Sequence, residues 1–350
     1  MTTTRTMVGS RHPDRTTANR ARIVVAGAGS IGCYVGGSIA AAGGDVALLA
    51  RPAVAATLAA RGLTLTDRDG GAQRVAPTAF AVSAEPAVLA EADIVLVTVK
   101  SGSTHEMAAT IARHAPPSAA VVSLQNGVDN ARLLAAALPG RTVVAGMVPF
   151  NVVALGDGRF HRATTGRIVV DAAAAGLAAR LATPRLPIDT HADMRAVAWG
   201  KLLLNLNNAL NALSGVPLRE ELGQRGWRRL LAACMDEALD ALDAAGIVPV
   251  RLGPVLPRRV PTVLRLPDAL FRIVAAAQLR IDPTASSSMA DDLAARRRTE
   301  IDQLQGAVVA LAERHGLAAP TNAAVAARVR AAESKATGSP RLRPADVVAP

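Results

Sequence analysis

Arg22-Ile-Val-Val-Ala26 runs straight into Gly27-Ala-Gly29-Ser-Ile-Gly32, then Cys33-Tyr-Val-Gly-Gly-Ser-Ile-Ala-Ala-Ala42, Gly43-Gly44 and Asp45-Val-Ala-Leu-Leu49. The first five residues read as a short buried strand, and the small-residue run after the glycines reads as a helix to about Ala42. Gly43-Gly44 supplies the helix end, because glycine takes the left-handed conformation without steric cost. Residues 45–49 are a second strand. Strand, helix and strand together make a βαβ unit.

The glycine spacing is informative only in this setting, with a strand before it and a helix after it. Gly27 allows the tight turn, Gly29 lets backbone approach a pyrophosphate, and Gly32 lets the helix pack close to the strand. With Ala28, Ser30 and Ile31 between them, these glycines bring the unpaired N–H groups of a helix N-terminus up to an anion. The chain therefore opens with an α/β Rossmann-type dinucleotide-binding domain. At the end of the second strand stand Leu48-Leu49-Ala50-Arg51. A carboxylate there would hold a ribose 2′-hydroxyl, whereas an arginine suits a 2′-phosphate. NADP(H) is expected over NAD(H), the plain alternative being that Arg51 is a surface arginine.

Residues 63–66 and 73–75 read as a hairpin around Asp69-Gly70-Gly71. The continuous apolar run 93–99 reads as a buried parallel strand ending at Lys100, and 121–124 as another ending at Gln125-Asn126-Gly127. Open α/β sheets bind ligands outside such carboxyl ends, so Lys100 and Asn126 face the nicotinamide half of the cofactor. The alternatives are a solvated strand end for Lys100 and a simple turn at Asn126-Gly127. Residues 142–148, a segment near Val152 and 168–171 continue the sheet. A helix over 172–182 and a Pro184–Pro187 link follow. Beyond about Asp189 the pattern is helical, clearest over 228–245, 268–280, 289–314 and 321–332. This change from alternating β/α to all-α marks a second domain. The expected division is a disordered tail over 1–20, an NADP-binding domain over 21–188, a helical substrate and catalytic domain over 189–333, and a disordered tail over 334–350.

With 350 residues, 50% of them hydrophobic, the chain has material for two cores, and with aromatics at 2% these are built from Ala, Val and Leu. A formal charge of +11 would suit nucleic acid, but the arginines are spread out and aromatic residues for base stacking are scarce. A basic cleft for a small anion accounts for the charge equally well. Cys33 and Cys234 form no C-x-x-C and the six histidines show no metal-ligand spacing, so a reducing cytoplasmic setting and no metal are expected. No apolar run reaches a membrane span. The first 20 residues are Thr/Arg-rich like a transit peptide, yet lack an apolar core and an amphipathic face.

Lysine occurs only at Lys100, Lys201 and Lys335; the other 36 of the 39 basic residues are Arg. Arg does not release its proton near neutrality, so a lysine kept in such a chain marks a place for a compact, titratable ammonium. Lys335 falls in the tail. Lys201 lies in Trp199-Gly-Lys-Leu-Leu-Leu-Asn205-Leu-Asn207-Asn208-Ala-Leu-Asn211, which reads as one helix. Lys201, Asn205 and Asn208 share a face of that helix, leaving Leu202, Leu203, Leu206 and Leu210 for a core. Amides are poor in helix interiors, so the polar face is either solvated surface or a substrate groove with a lysine as proton donor. Ser288-x-x-Asp291 fits a helix N-cap. Glu300, mid-helix among arginines, reads on its own as an exposed ion pair.

Together these motifs make the chain resemble the ketopantoate reductase family (2-dehydropantoate 2-reductase) from about Arg22 to Ala332. The matching residues are Gly27-Ala-Gly29-Ser-Ile-Gly32, Val97-Thr-Val-Lys100, Gln125-Asn126-Gly127 and Trp199-Gly-Lys201-Leu-Leu-Leu-Asn205. To these add Ser287-Ser288-Met289 and Arg298-Thr299-Glu300-Ile-Asp302-x-x-x-Gly306, continuing to His315-Gly316-Leu317-x-x-Pro320-x-Asn322, the most specific block. The resemblance implies a C-terminal domain like that of 6-phosphogluconate dehydrogenase. It also implies reduction of 2-dehydropantoate to (R)-pantoate with NADPH, on the route to pantothenate and coenzyme A.

By the same resemblance Lys201 is the catalytic lysine, and Glu300 holds the substrate hydroxyl and helps orient that lysine. Asn205 and Ser288 are substrate ligands, Lys100 and Asn126 lie on the cofactor side, and Arg51 takes the 2′-phosphate. One departure stands out. The family places a second asparagine, followed by Pro, eight residues after the lysine, where this chain has Ala209. Asn208, about 100° round a helix, is the expected substitute. The expected partner is a small 2-keto acid, with neither nucleic acid nor membrane, and a homodimer is the candidate assembly. The nearer alternative is a reductase of the same family acting on a different 2-keto or 3-hydroxy acid, which Ala209 favours. The more distant one is a non-catalytic NADP-binding redox sensor, against which Lys201 and Glu300 argue.

Overall fold

The computed structural model describes residues 21–68, 70–276 and 284–348. The expectations for 1–20, Asp69, 277–280 and 349–350 lie outside the described residues. Among those described, the strands are β1 (Ile23–Ala26), β2 (Val46–Leu49), β3 (Leu63–Asp67), β4 (Ala72–Val75), β5 (Ala81–Ser83) and β6 (Ile94–Val97). They continue with β7 (Ala120–Ser123), β8 (Val143–Met147), β9 (Val152–Gly156), β10 (Arg159–Arg162), β11 (Ile168–Asp171) and β12 (Ile188–His191).

Eight strands form one sheet in the order β12-β11-β8-β7-β6-β1-β2-β5, and β4-β3-β10-β9 form a second. From β8 across to β5 every pairing is parallel. β2 and β6 flank β1, so the winding reverses there and opens a crevice at the carboxyl ends. β1, β2 and β6 are buried along their whole length, which is why they read as unbroken apolar runs. After the glycine loop the helix Ser30–Ala41 ends as expected. The Gly43 and Gly44 N–H groups bond the Ala40 and Ile39 carbonyls at 2.9 and 3.0 Å, with Gly43 at φ 81°.

Beyond the sheet the chain is helical. The Met194–Asn205, Asn207–Ser214, Arg225–Ala244, Gln305–Arg314 and Pro320–Lys335 helices surround one apolar core that includes Trp199, Leu210, Trp227, Val308 and Val325. Separate apolar clusters cover the two faces of the sheet. Among the described residues no helix is long and apolar enough to cross a membrane.

Several expectations are corrected. The segment near Val152 does not continue the main sheet. β9 pairs antiparallel with β10 in the small sheet, through a turn in which Asp157 and Gly158 both have positive φ, 52° and 74°. That Asp-Gly pair is a strong hairpin signal. β12 carries the main sheet to His191, past the boundary drawn at 188.

The stretch around Lys201 is two helices, not one. Gln305 Nε2 reaches into the interruption and donates to the Leu206 carbonyl at 2.8 Å. Residues 289–314 are not one helix either. Ser288–Ala294 ends in a turn where the Arg296 and Arg297 N–H groups bond the Leu293 and Asp292 carbonyls at 3.0 and 2.8 Å. Arg296 takes φ 54° there, at a cost of about 1 kcal/mol for a residue with a Cβ. Glu300 stands in this break, not on a helix. The tail expected to be disordered is anchored over its described part. Leu342 N–H bonds the Leu213 carbonyl at 2.9 Å, and Val347, in the short helix Pro344–Val347, is fully buried.

Candidate active site

β1 ends at Ala26, and the chain turns through Gly27 at φ 113°. The Gly27 and Ala28 N–H groups bond the Leu49 carbonyl at 3.2 and 2.9 Å, which ties the loop to β2. A Cβ on Gly27 would stand 2.7 Å from Val99 Cγ1, and one on Gly32 2.6 Å from Thr98 Oγ1; one on Gly29 would meet nothing within 4 Å. Gly29 thus faces open space at the N-terminus of Ser30–Ala41, where no side chain caps the helix. Ser30 and Ile31 form its first turn, with Ile31 packed partly on the core.

Beside this loop is a cavity of about 760 Å³ lined by Gly27, Ala28, Leu49, Ala50, Arg51 and Lys100, with Arg297 and Arg298 from the helical domain. Free helix N–H groups, a missing Cβ and flanking cations are what the phosphates of a dinucleotide require, so the residues present fit that group. Arg51 is exposed, directly before the Pro52–Arg61 helix. Lys100 does not stand free on the wall. Its Nζ lies 2.5 Å from Asp292 Oδ2 and 3.4 Å from the Arg298 carbonyl, so it joins the two domains.

Deeper in the crevice, Lys201 Nζ donates to Asn126 Oδ1 at 2.6 Å and to the Val148 carbonyl at 2.5 Å. The other end of the same amide, Asn126 Nδ2, donates to Glu300 Oε2 at 3.0 Å. Glu300 Oε1 accepts from the Ser101 N–H at 3.1 Å and from Ser101 Oγ at 2.9 Å. One amide therefore bridges an ammonium and a carboxylate. The donor and acceptor needs of its neighbours assign its orientation, oxygen toward Lys201 and nitrogen toward Glu300.

Burial pushes the Lys201 ammonium down to about 8, and the Glu300 carboxylate opposes part of that fall. The protonated form still dominates at neutral pH, close enough to its pKa to transfer the proton. Beside Lys201 and Asn205 lies a space of about 10 Å³, bounded by Gln125, Gly127, Gly146, Met147, Ala198 and Leu202. That is room for a single water. The Asn126 and Val148 oxygens engage two of the three Lys201 ammonium donors, which leaves the third for an incoming acceptor.

The fold thus brings together Lys201, Asn126, Glu300 and Asn205. Asn208 is not on their helix. It lies in Asn207–Ser214, and its backbone carbonyl accepts from Ser287 Oγ at 2.9 Å. Ala209 is fully buried in the helical core, so that position offers the crevice nothing polar. Ser288 is the exposed first residue of Ser288–Ala294. The cap is Ser287, whose Oγ accepts from the Ala290 N–H at 3.1 Å, which corrects the expectation for Ser288.

The amides at Asn207 and Asn211 turn instead to the buried Glu221, donating to Oε2 at 3.5 and 3.0 Å. Burial pushes the Glu221 carboxyl up to about 8. Sequence reasoning passed over Ser101. Its signal was its place directly after Lys100, at the carboxyl end of a central strand.

The family profile described as Ketopantoate reductase PanE/ApbA matches residues 23–175, and its C-terminal counterpart matches 193–333. A 2-dehydropantoate 2-reductase of Halobacterium salinarum is 31% identical over 323 residues, covering 89% of this chain and 99% of its own. One from Caulobacter vibrioides is 29% identical, covering 72% of this chain and 81% of its own. The crystal structure of a PanE/ApbA family ketopantoate reductase from Ralstonia eutropha JMP134 superposes with a TM-score of 0.76 at 33% identity, over 90% of this chain and 99% of that one. D-mandelate dehydrogenase, solved with NADH and anilino(oxo)acetate, has a TM-score of 0.74 at 19% identity and so shares the fold alone. The two profile matches leave only residues 176–192 between them, where the sheet gives way to helices, the second match carries both Lys201 and Glu300, and the chain belongs to the ketopantoate reductase family of oxidoreductases acting on CH–OH groups.

Proposed function

We propose that the protein reduces 2-dehydropantoate to (R)-pantoate with NADPH, and that Lys201 is the general acid. The observation that carries this reading is the Lys201–Asn126–Glu300 bridge in the crevice of a chain of this family. The glycine loop, Lys100 and Asn126 hold the dinucleotide, and the Arg51 guanidinium takes the 2′-phosphate. The bound cofactor supplies the hydride that the keto carbon takes up.

Lys201 directs its remaining N–H to the keto oxygen, stabilises the negative charge that gathers there, and passes its proton to it. A desolvated ammonium is worth more to that oxygen than a hydrated one. Glu300, acting through Asn126, keeps Lys201 cationic and aimed, and accepts the substrate hydroxyl. Asn205, one helical turn beyond Lys201, orients the substrate, and Ser288 receives its carboxylate.

The test is NADPH consumption across a panel of 2-keto acids. The highest kcat/KM on 2-dehydropantoate, a preference for NADPH over NADH, and loss of turnover in Lys201→Ala support the reading. Unchanged turnover in Lys201→Ala refutes the assignment of the acid, and no turnover of any acid in the panel favours a redox sensor that has kept the fold. A second reading, a reductase for another 2-keto or 3-hydroxy acid, is favoured by one observation. Ala209 is sealed in the core and the Asn208 carbonyl is engaged by Ser287, so a pocket amide is missing there. A higher kcat/KM on another acid of the panel would establish that reading.

A further inference from the structure

Ser101 is 7% exposed and follows Lys100 at the carboxyl end of β6. Its N–H and Oγ both lie at Glu300 Oε1, at 3.1 and 2.9 Å. Its Oγ also lies 2.9 Å from the Asn126 carbonyl and accepts from Asn130 Nδ2 at 2.9 Å. Behind it the chain of buried polar groups continues. Asn130 Oδ1 accepts from Thr104 Oγ1 at 2.7 Å, and Thr104 Oγ1 accepts from Gln125 Nε2 at 2.8 Å.

The pattern decides where the Ser101 proton goes. Asn130 Nδ2 donates both to Ser101 Oγ and to the Asn126 carbonyl. That carbonyl therefore has a donor without Ser101, and a carboxylate is the stronger acceptor, so the Ser101 hydroxyl donates to Glu300. Glu300 then takes three donors: the Ser101 N–H, the Ser101 hydroxyl and Asn126 Nδ2. All three are neutral, and two come from one residue of the other domain. Donors on both oxygens hold the carboxylate in one rotamer.

We propose that Ser101 is a positioning residue for the reaction: across the domain interface it holds the Glu300 carboxylate in one orientation, so that Glu300 can act on Lys201 through Asn126. The proposal rests on the catalytic reading of Lys201 and Glu300 given above.

Ser101→Ala keeps the N–H and removes the hydroxyl, so the Glu300 carboxylate is free to swing from Asn126 and its charge moves away from Lys201. The alkaline limb of the kcat profile with NADPH and 2-dehydropantoate, set by Lys201 at about 8, is expected to move to lower pH by up to about 1.5 units. Ser101→Thr restores that limb. Independently of turnover, the nitrogen-15 titration of the Lys201 side chain, assigned by its absence in Lys201→Arg, has a lower midpoint in Ser101→Ala than in the wild type. Alkaline limbs and titration midpoints that coincide in the two proteins overturn the proposal. If the wild type does not turn over 2-dehydropantoate, that refutes the proposed function, and the lysine titration still decides the role of Ser101. Should Ser101→Ala fail to fold, Ser101→Cys, similar in shape and a weaker donor, is read in the same way with a smaller shift.

Discussion

In the proposed reaction Lys201 serves as an acid only while protonated, so turnover is expected to fall as pH rises through about 8. Burial lowers that value and the Glu300 carboxylate raises it. Glu300→Gln removes the second effect while keeping the side-chain shape, and its amide oxygen still accepts from Asn126 Nδ2. The geometry sets the size of the change. Asn126 reaches Lys201 at 2.6 Å and Glu300 at 3.0 Å, so the two charges lie within about 8 Å of each other. At an effective dielectric near 20, such a pair is worth about 2 kcal/mol, or about 1.5 pH units. Losing it disfavours the ammonium, so the alkaline limb of kcat falls from about 8 to about 6.5 in Glu300→Gln. The assay is NADPH oxidation at saturating 2-dehydropantoate across the neutral and alkaline range, at one ionic strength, because salt screens partly exposed charges. A limb that stays at about 8 or rises refutes the coupling, even if kcat itself drops, since Glu300 would then serve the substrate alone.

Glu221 titrates at about 8 in the folded chain against 4.5 for the free side chain, so the folded state keeps a proton that the unfolded state releases between those values. Stability therefore falls as pH rises through that window. Glu221→Gln should abolish the fall, its unfolding free energy in urea pulling ahead of the wild type with rising pH, by up to about 5 kcal/mol at the top of the window. Free energies that run parallel with pH would exclude this. Arg51→Glu should raise KM for NADPH by about 10- to 100-fold and improve use of NADH, because a carboxylate repels a 2′-phosphate and accepts a 2′-hydroxyl; an unchanged cofactor ratio counts against the role of Arg51. In Gly32→Ala the new methyl meets the Gly27 carbonyl and Thr98 Oγ1, so calorimetry should show a loss of about 1–3 kcal/mol and a fluorescence titration weaker NADPH binding. Wild-type stability and affinity would mean that the loop yields without cost.

The opening βαβ unit was legible because its signals are local. A fully buried strand reads as an apolar run, and a tight turn that meets neighbouring backbone admits only glycine. The rarity of lysine singled out Lys201 and Lys100 on chemistry alone. The Asp157-Gly158 hairpin was also written locally and was passed over, so the exposed strand β9 beside it was assigned to the main sheet. The C-terminal tail was misread because its composition is polar and Pro-rich, while its anchoring needs only Leu342 and Val347.

Other features have no local signature at all. Gln305 marks the end of the Lys201 helix from 99 residues away. The contacts that turn Lys201, Asn126, Glu300 and Ser101 into one unit span 75, 174 and 199 positions. Periodicity and propensity report how a segment satisfies its own backbone and which face it buries. They carry no record of which distant side chain completes a polar group. The sequence by itself therefore determined the dinucleotide-binding start, the helical second half and the candidate lysine. Only the packing of the two domains decided that Glu300 leaves its helix, that Asn126 becomes a bridge, and that the amides following Lys201 divide between the crevice and a buried carboxyl.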